Sequence, residues 1–151
     1  KEKNNMVDFN QLLAGKVADT ELPKPLPVGT YKAVIKNYET MESSAKKTPG
    51  VQFNLTAVEP LEDVDQAEFS AYGPEKLGKA KLKEVFYLTE DAMPRLRGFL
   101  EKTLRIDCTT QTYVEALAQT TGIEVLVSIK HTISKDGQSV YHEIGSVASA
   151  A

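Results

Sequence analysis

A mainly β domain interrupted once by helix is the fold class this sequence predicts, on three observations. "VQFNLTAV" (residues 51–58) alternates apolar and polar side chains, the period of a strand with one buried face. "GIEVLVSIKHTI" (122–133) repeats that period, and after "SKDGQ" the segment "SVYHEIGSV" (139–147) returns as its partner across an Asp136-Gly137 turn. Between these, "AMPRLRGFLEKTL" (92–104) spaces its apolar residues by three and four, the period of a helix.

Taken in chain order, residues 1–27 read as an arm with a Pro-rich linker and residues 28–151 as the folded domain. In the arm, Phe9, Leu12 and Leu13 stand at helical spacing behind Asp8 as N-cap, and "ELPKPLPVG" then interrupts any regular structure. Strand one is "TYKAVIKNYET", with Tyr31, Ala33 and Ile35 on one face and Lys32, Val34, Lys36 and Tyr38 on the other. The polar loop 42–50 leads into strand two, whose inner face is Val51, Phe53, Leu55 and Ala57. Residues 59–68 hold five acidic groups in ten, and with residues 69–78 they read as a long surface excursion, too charged for core. "AKLKEVFYL" (80–88) is strand three.

A helix capped by Thr89 or Asp91 follows, with Met93, Leu96, Leu100 and Leu104 as its apolar stripe and Pro94 in its first turn. "TYVE" (112–115) has the pattern of a capping box for a second short helix that stops at Gly122. Three strands, a helical segment and two strands is the connectivity of an OB-fold, a five-stranded Greek-key barrel with its helical segment between strands three and four.

Composition narrows the function. The 151 residues suit a single domain, and 41% hydrophobic with 26% charged residues suits a packed core under a soluble surface. A net charge of −3 argues against a protein that coats polyanions with its whole surface but leaves room for one basic groove. Cys108 is the only cysteine, and neither it nor His131 and His142 falls at metal-ligand spacing, so no disulfide, metal or cofactor is expected. No run approaches the ~18 apolar residues of a membrane span, which points to no membrane partner and a cytoplasmic location.

"GPEKLGKA" (73–80) satisfies G-x-x-x-x-G-K, yet Ala80 lacks the hydroxyl that binds Mg²⁺ and Pro74 removes an N–H from the phosphate cradle. It reads as a Gly-punctuated loop. No nucleophile stands in a G-x-S-x-G elbow, and the carboxylates cluster where water solvates them, so no catalysis is expected. His131 and His142 are placed to face one another across the last hairpin as surface polar residues.

What remains is lysine interleaved with tyrosine. Lys32, Lys36 and Tyr38 on strand one and Lys79, Lys81, Lys83 and Tyr87 on strand three are expected outward, with Gln52, Asn54 and Thr56 of strand two between them. Lys46 and Lys47 lie on the loop joining strands one and two, and Lys130, Lys135 and Tyr141 on or beside the loop joining strands four and five. Those two loops and the face of strands two and three are where OB-folds hold single-stranded nucleic acid, with ammonium groups on phosphates and tyrosines under bases. Alternating lysine also guards exposed strands against aggregation, so mere solvation is the competing reading.

Beyond these patterns, "VDFNQLLAGKVADTELPKPLPVGTYKAVI", "KKTPGVQFNLTAVEPLEDVD", "FYLTEDAMPRLRGFL" and "VYHEIGSV" resemble a family of small bacteriophage proteins similar to phage single-stranded DNA-binding proteins, over residues 7 to 147. The resemblance implies an OB-fold protein of DNA replication or recombination, working in the cytoplasm of an infected cell, with single-stranded DNA (RNA left open) and replication or recombination proteins as partners and with homo-oligomers allowed. Proteins of this kind often end in an acidic tail that recruits partners. This chain stops at "ASAA", which leaves either a tail removed or disordered, or recruitment that works differently here, with the acidic block at 59–68 as a candidate substitute. The alternative function is a protein-interaction module or adaptor on the same fold.

Overall fold

The computed structural model describes residues 9–17 and 24–150. Asp8, the expected cap of the first helix, and part of the Pro-rich linker lie outside the described residues. The strands are β1 (Gly29–Glu42), β2 (Pro49–Pro60), β3 (Leu82–Tyr87), β4 (Glu124–Ile133) and β5 (Val140–Ser149). Helices α1 (Phe9–Leu13), α2 (Gln66–Tyr72), α3 (Met93–Gly98) and α4 (Tyr113–Leu117) are short. The five strands form one open antiparallel sheet in the order β3-β2-β1-β4-β5. Since every neighbouring pair is antiparallel, the two edge strands β3 and β5 run the same way. The sheet curls enough to bring them near one another, and His142 on β5 meets the Lys81 carbonyl just before β3 at 3.3 Å.

Alternation explains the inner face. Tyr31, Ala33 and Ile35 of β1, Val51, Phe53, Leu55 and Ala57 of β2 and Val125, Val127 and Ile129 of β4 are all buried, as their period of two requires. Phe53 lies at the centre of an aromatic cluster, with ring centroids 5.7 Å from Phe86 and 5.1 Å from Phe99. Tyr31 is buried full length and its hydroxyl donates to the Pro27 carbonyl at 2.8 Å, while burial pushes its ionisation far above the ordinary tyrosine range.

The acidic excursion is a correction. Residues 59–78 contribute Val64, Phe69, Tyr72 and Leu77 to the core, and they fold as α2 followed by a 3₁₀ turn (Pro74–Lys79). Asp65 caps α2 by accepting the Glu68 N–H at 2.9 Å, and Asp63 accepts both the N–H and the hydroxyl of Thr30, which draws its carboxyl below the ordinary aspartate range. Asp63 and Asp65 are thus spent on these hydrogen bonds, while Val64 between them and Phe69, Tyr72 and Leu77 beyond them turn inward. Gly29 enters β1 at φ +141°, and an added Cβ there would stand 2.5 Å from Val64.

The helical segment between β3 and β4 is two helices, as the spacing predicts, but the first is not uniform. After Gly98 it widens into a π turn (Phe99–Thr103), with Leu104 N–H donating to the Phe99 carbonyl, and it ends where Arg105 takes φ +59°. Widening places Phe99 and Leu100 inside together with Leu96 and Leu104. Neither Thr89 nor Asp91 caps α3: its N-cap is Ala92, with no side-chain cap, and Thr89 accepts the Ala92 N–H at 3.2 Å in the turn ahead of the helix, whereas Thr112 with Glu115 makes the expected capping box. Leu26, assigned by sequence to the arm, is fully buried. No helix among the described residues is long and apolar enough to cross a membrane.

Candidate nucleic-acid interface

Register decides which side chains share the outer face. Across β2 and β3, Asn54 stands opposite Lys83, Gln52 opposite Val85 and Gly50 opposite Tyr87. Across β1 and β2, Asn37 stands opposite Asn54, Glu39 opposite Gln52 and Met41 opposite Gly50. The amides are chained: Asn54 Nδ2 donates to Asn37 Oδ1 at 2.7 Å, and Gln52 Nε2 donates to Asn54 Oδ1 at 2.8 Å. This ladder is held rigid by its own hydrogen bonds while its outer edges remain in water.

At one end of the ladder lies a small shelf. A Cβ on Gly50 would stand 2.7 Å from Met41 Sδ and 3.2 Å from Tyr87 Cδ1, so the tyrosine ring and the thioether lean over the glycine from either side. Tyr87 remains 39% exposed, enough for its ring to accept a second flat group. Lys46 and Lys47 are exposed in the adjoining loop, whose backbone is closed by Ser43 N–H to the Thr48 carbonyl and by Lys47 N–H to the Ser43 carbonyl. Lys83 is exposed beside Asn54, and among the described residues neither Lys81 nor Lys83 forms an ion pair.

Several expected positions differ. Tyr38 does not share the outer face with Tyr87. A register shift between Ile35 and Asn37 leaves Lys36 bulged and reverses the alternation, so Tyr38 stands opposite Phe53, half-buried, with ring centroids 6.4 Å apart. Lys79 ends the 3₁₀ turn and Lys81 precedes β3, so only Lys83 and Tyr87 of that set are on the strand; the burial of Leu77 holds the preceding chain in a turn. Lys32 is at the far end of the sheet, its Nζ 3.2 Å from Glu59. Lys130 lies opposite Glu143, at 3.4 Å. Both charges are therefore offset by an acid.

Lys135 is exposed in the β4–β5 loop, and Tyr141 is 47% exposed opposite Thr132. Tyr141 also borders a groove of about 510 Å³ that runs between residues 81–85 and residues 141–144. The structure thus brings together Gln52, Asn54, Lys83 and Tyr87, with Lys46 and Lys47 at one end and Lys81 by the opposite groove. It separates Lys32, Lys36, Tyr38, Lys79 and Lys130 from that set. Asn37, Met41 and Gly50 complete the face and were missed: the bulge that brings Asn37 and Met41 to it leaves no mark in the alternation, and Gly50 belongs by sequence to the polar loop 42–50.

The free edge of β3 is blunted from the helix side. Arg95 lies with its guanidinium carbon 4.3 Å from the Phe86 ring centroid, donates to the Val85 carbonyl at 3.0 Å and pairs with Glu84 at 3.4 Å. Glu84 stands opposite Phe53 on the inner side, where burial raises its carboxyl above the usual range and Arg95 opposes that rise. No cluster of three metal-ligating side chains exists among the described residues. Comparison with protein-family models and with curated protein sequences finds no match for this chain.

Proposed function

We propose that this chain is a non-catalytic, sequence-tolerant single-stranded DNA-binding protein that holds the strand along the outer face of β2 and β3. The observation that carries the reading is the register that sets Lys83 beside Asn54 and Tyr87 beside Gly50, joining a cation, an amide ladder and an exposed ring on one face. Those are the group types that single strands need: ammonium for phosphate, amides for base edges and a flat ring for stacking. The strand order supports an OB-fold as the finer architecture. β1 pairs with both β2 and β4, the parallel edges β3 and β5 approach each other, and α3 and α4 fall between β3 and β4, as in a five-stranded Greek-key barrel, with α2 added between β2 and β3.

Within that architecture the β1–β2 loop, carrying Lys46 and Lys47, and the β4–β5 loop, carrying Lys135, flank the binding face. A role in phage replication or recombination is consistent with such a protein. Fluorescence anisotropy with a labelled oligonucleotide at 50 mM and 200 mM salt tests the reading. Binding that weakens as salt rises is expected, and no binding at low salt, or binding indifferent to salt, overturns it.

The adaptor reading draws on one observation of its own. In α1 no residue is buried, and Phe9, Leu12 and Leu13 are 68%, 69% and 80% exposed, so the arm offers apolar side chains that the domain does not use. Pull-down with the arm present and removed separates a protein contact there from nucleic-acid binding on the sheet.

A further inference from the structure

His131 and His142 stand opposite one another in the β4–β5 register, on the inner side of the hairpin where it extends past Ile129. Both rings grip the main chain of one residue. Leu26 N–H donates to His142 Nδ1 at 2.9 Å, and His131 Nε2 lies 2.8 Å from the Leu26 carbonyl. The Leu26 side chain is fully buried and the Tyr31 hydroxyl donates to the Pro27 carbonyl, so the segment 24–28 is tied down at its C-terminal end by these two anchors and at Leu26 by two imidazoles that satisfy its backbone as a neighbouring strand would.

The two histidines have opposite chemical requirements. His131 must donate to a carbonyl, so its Nε2 carries a proton, and it continues to donate when the ring is charged. His142 must accept an N–H at Nδ1, so its proton sits on Nε2, where it donates to the Lys81 carbonyl at 3.3 Å. A second proton on His142 can go only to Nδ1, and there it sets two donors against each other.

We propose that residues 24–28 are a strap whose hold on the domain is released by protonation of His142, while protonation of His131 leaves it in place. The surroundings of His142 favour the closed form at neutral pH. Burial of the ring lowers its proton affinity below the ordinary histidine value, the Lys81 carbonyl acts the other way, and His131 opposite adds to the lowering. Among the described residues, the other charged or titratable groups lining the grooves beside it are Lys24 on the strap, Lys81, Lys83 and Glu84 at the β3 edge, and Tyr141 and Glu143 next to it on β5. Glu84 is tied to Arg95, so the nearest side chains of opposite charge are already engaged or on the outer face. Release uncovers the seat of Leu26 and the hairpin face behind it.

The test uses the whole chain without nucleic acid, so its outcome is independent of the binding proposal. NMR follows the Leu26 amide and the His142 imidazole together between pH 8 and pH 5. The expected result is a Leu26 amide whose hydrogen-exchange protection, corrected for intrinsic rate, falls at least tenfold with the same midpoint as His142, below 6.5. His142→Asn, whose Oδ1 replaces Nδ1 as an acceptor that does not titrate, should keep the protection at pH 5, and His131→Gln should keep the wild-type pH dependence. Protection that persists after His142 has titrated in the wild type overturns the proposal, whether or not the variants fold. So does loss of protection at pH 5 in a folded His142→Asn chain.

Discussion

Lys81→Ala with Lys83→Ala is the perturbation that bears most directly on the proposed binding face. Both ammonium groups lie at the β3 side of the groove, and neither has an acidic partner among the described residues, so each is available to replace a counterion at a phosphate. On a single strand each such contact contributes about 0.7 to the slope of log affinity against log salt, so the double variant should flatten that slope by about 1.4. Taking 1 M salt as the point where the term vanishes, the affinity loss should be about 65-fold at 50 mM and about 10-fold at 200 mM. Lys32→Ala with Lys130→Ala is the internal control, because Glu59 and Glu143 already offset those charges and the variant should stay within about twofold of wild type. Anisotropy titrations across four salt concentrations measure all three slopes. Equal slopes for wild type and the Lys81/Lys83 variant, or an equal loss in the control, would refute the assignment of the face.

Tyr87→Ala should weaken oligonucleotide binding by about 1–3 kcal/mol with the salt slope unchanged, and Tyr87→Phe should bind nearly as wild type, since stacking needs the ring and not the hydroxyl. Phe53→Ala removes the centre of the cluster with Phe86 and Phe99 and should cost about 3–5 kcal/mol in urea denaturation. Gly29→Ala should destabilise the fold more than an exposed glycine such as Gly78, which has nothing within 4 Å, because Gly29 combines φ +141° with a 2.5 Å approach to Val64; thermal denaturation of the two variants compares them. Asp63 has its carboxyl drawn below the ordinary value of 3.8 by Thr30, so its contribution to stability is present above that value and lost as pH falls below it. The melting temperature of Asp63→Asn should therefore depend less on pH than that of wild type below about pH 4.

Much of the fold was legible in the residues. Strands β2 and β4 and the hairpin to β5 appear where alternation places them, and the Thr112–Glu115 box caps α4 as its spacing requires. His131 and His142 face one another across the hairpin as expected, but as the holders of Leu26 and not as surface polar residues. The site was read less completely. Gln52, Asn54, Lys83 and Tyr87 share a face as expected, but Tyr38 turned inward and the lysines at 32 and 130 met acids brought from elsewhere in the sheet.

The amino-acid sequence by itself determined the local periods: which segments extend, which coil, and which side of an uninterrupted strand is apolar. Those depend on neighbours one to four residues apart, so they are written in the chain. Only the tertiary structure decided the bulge at Lys36, the inward turn of Val64, Phe69, Tyr72 and Leu77 from an acidic run, and the seat of Leu26 between two histidines more than a hundred residues away. Each of these is set by the strand or loop that packs alongside, and a local pattern carries no record of its distant partner.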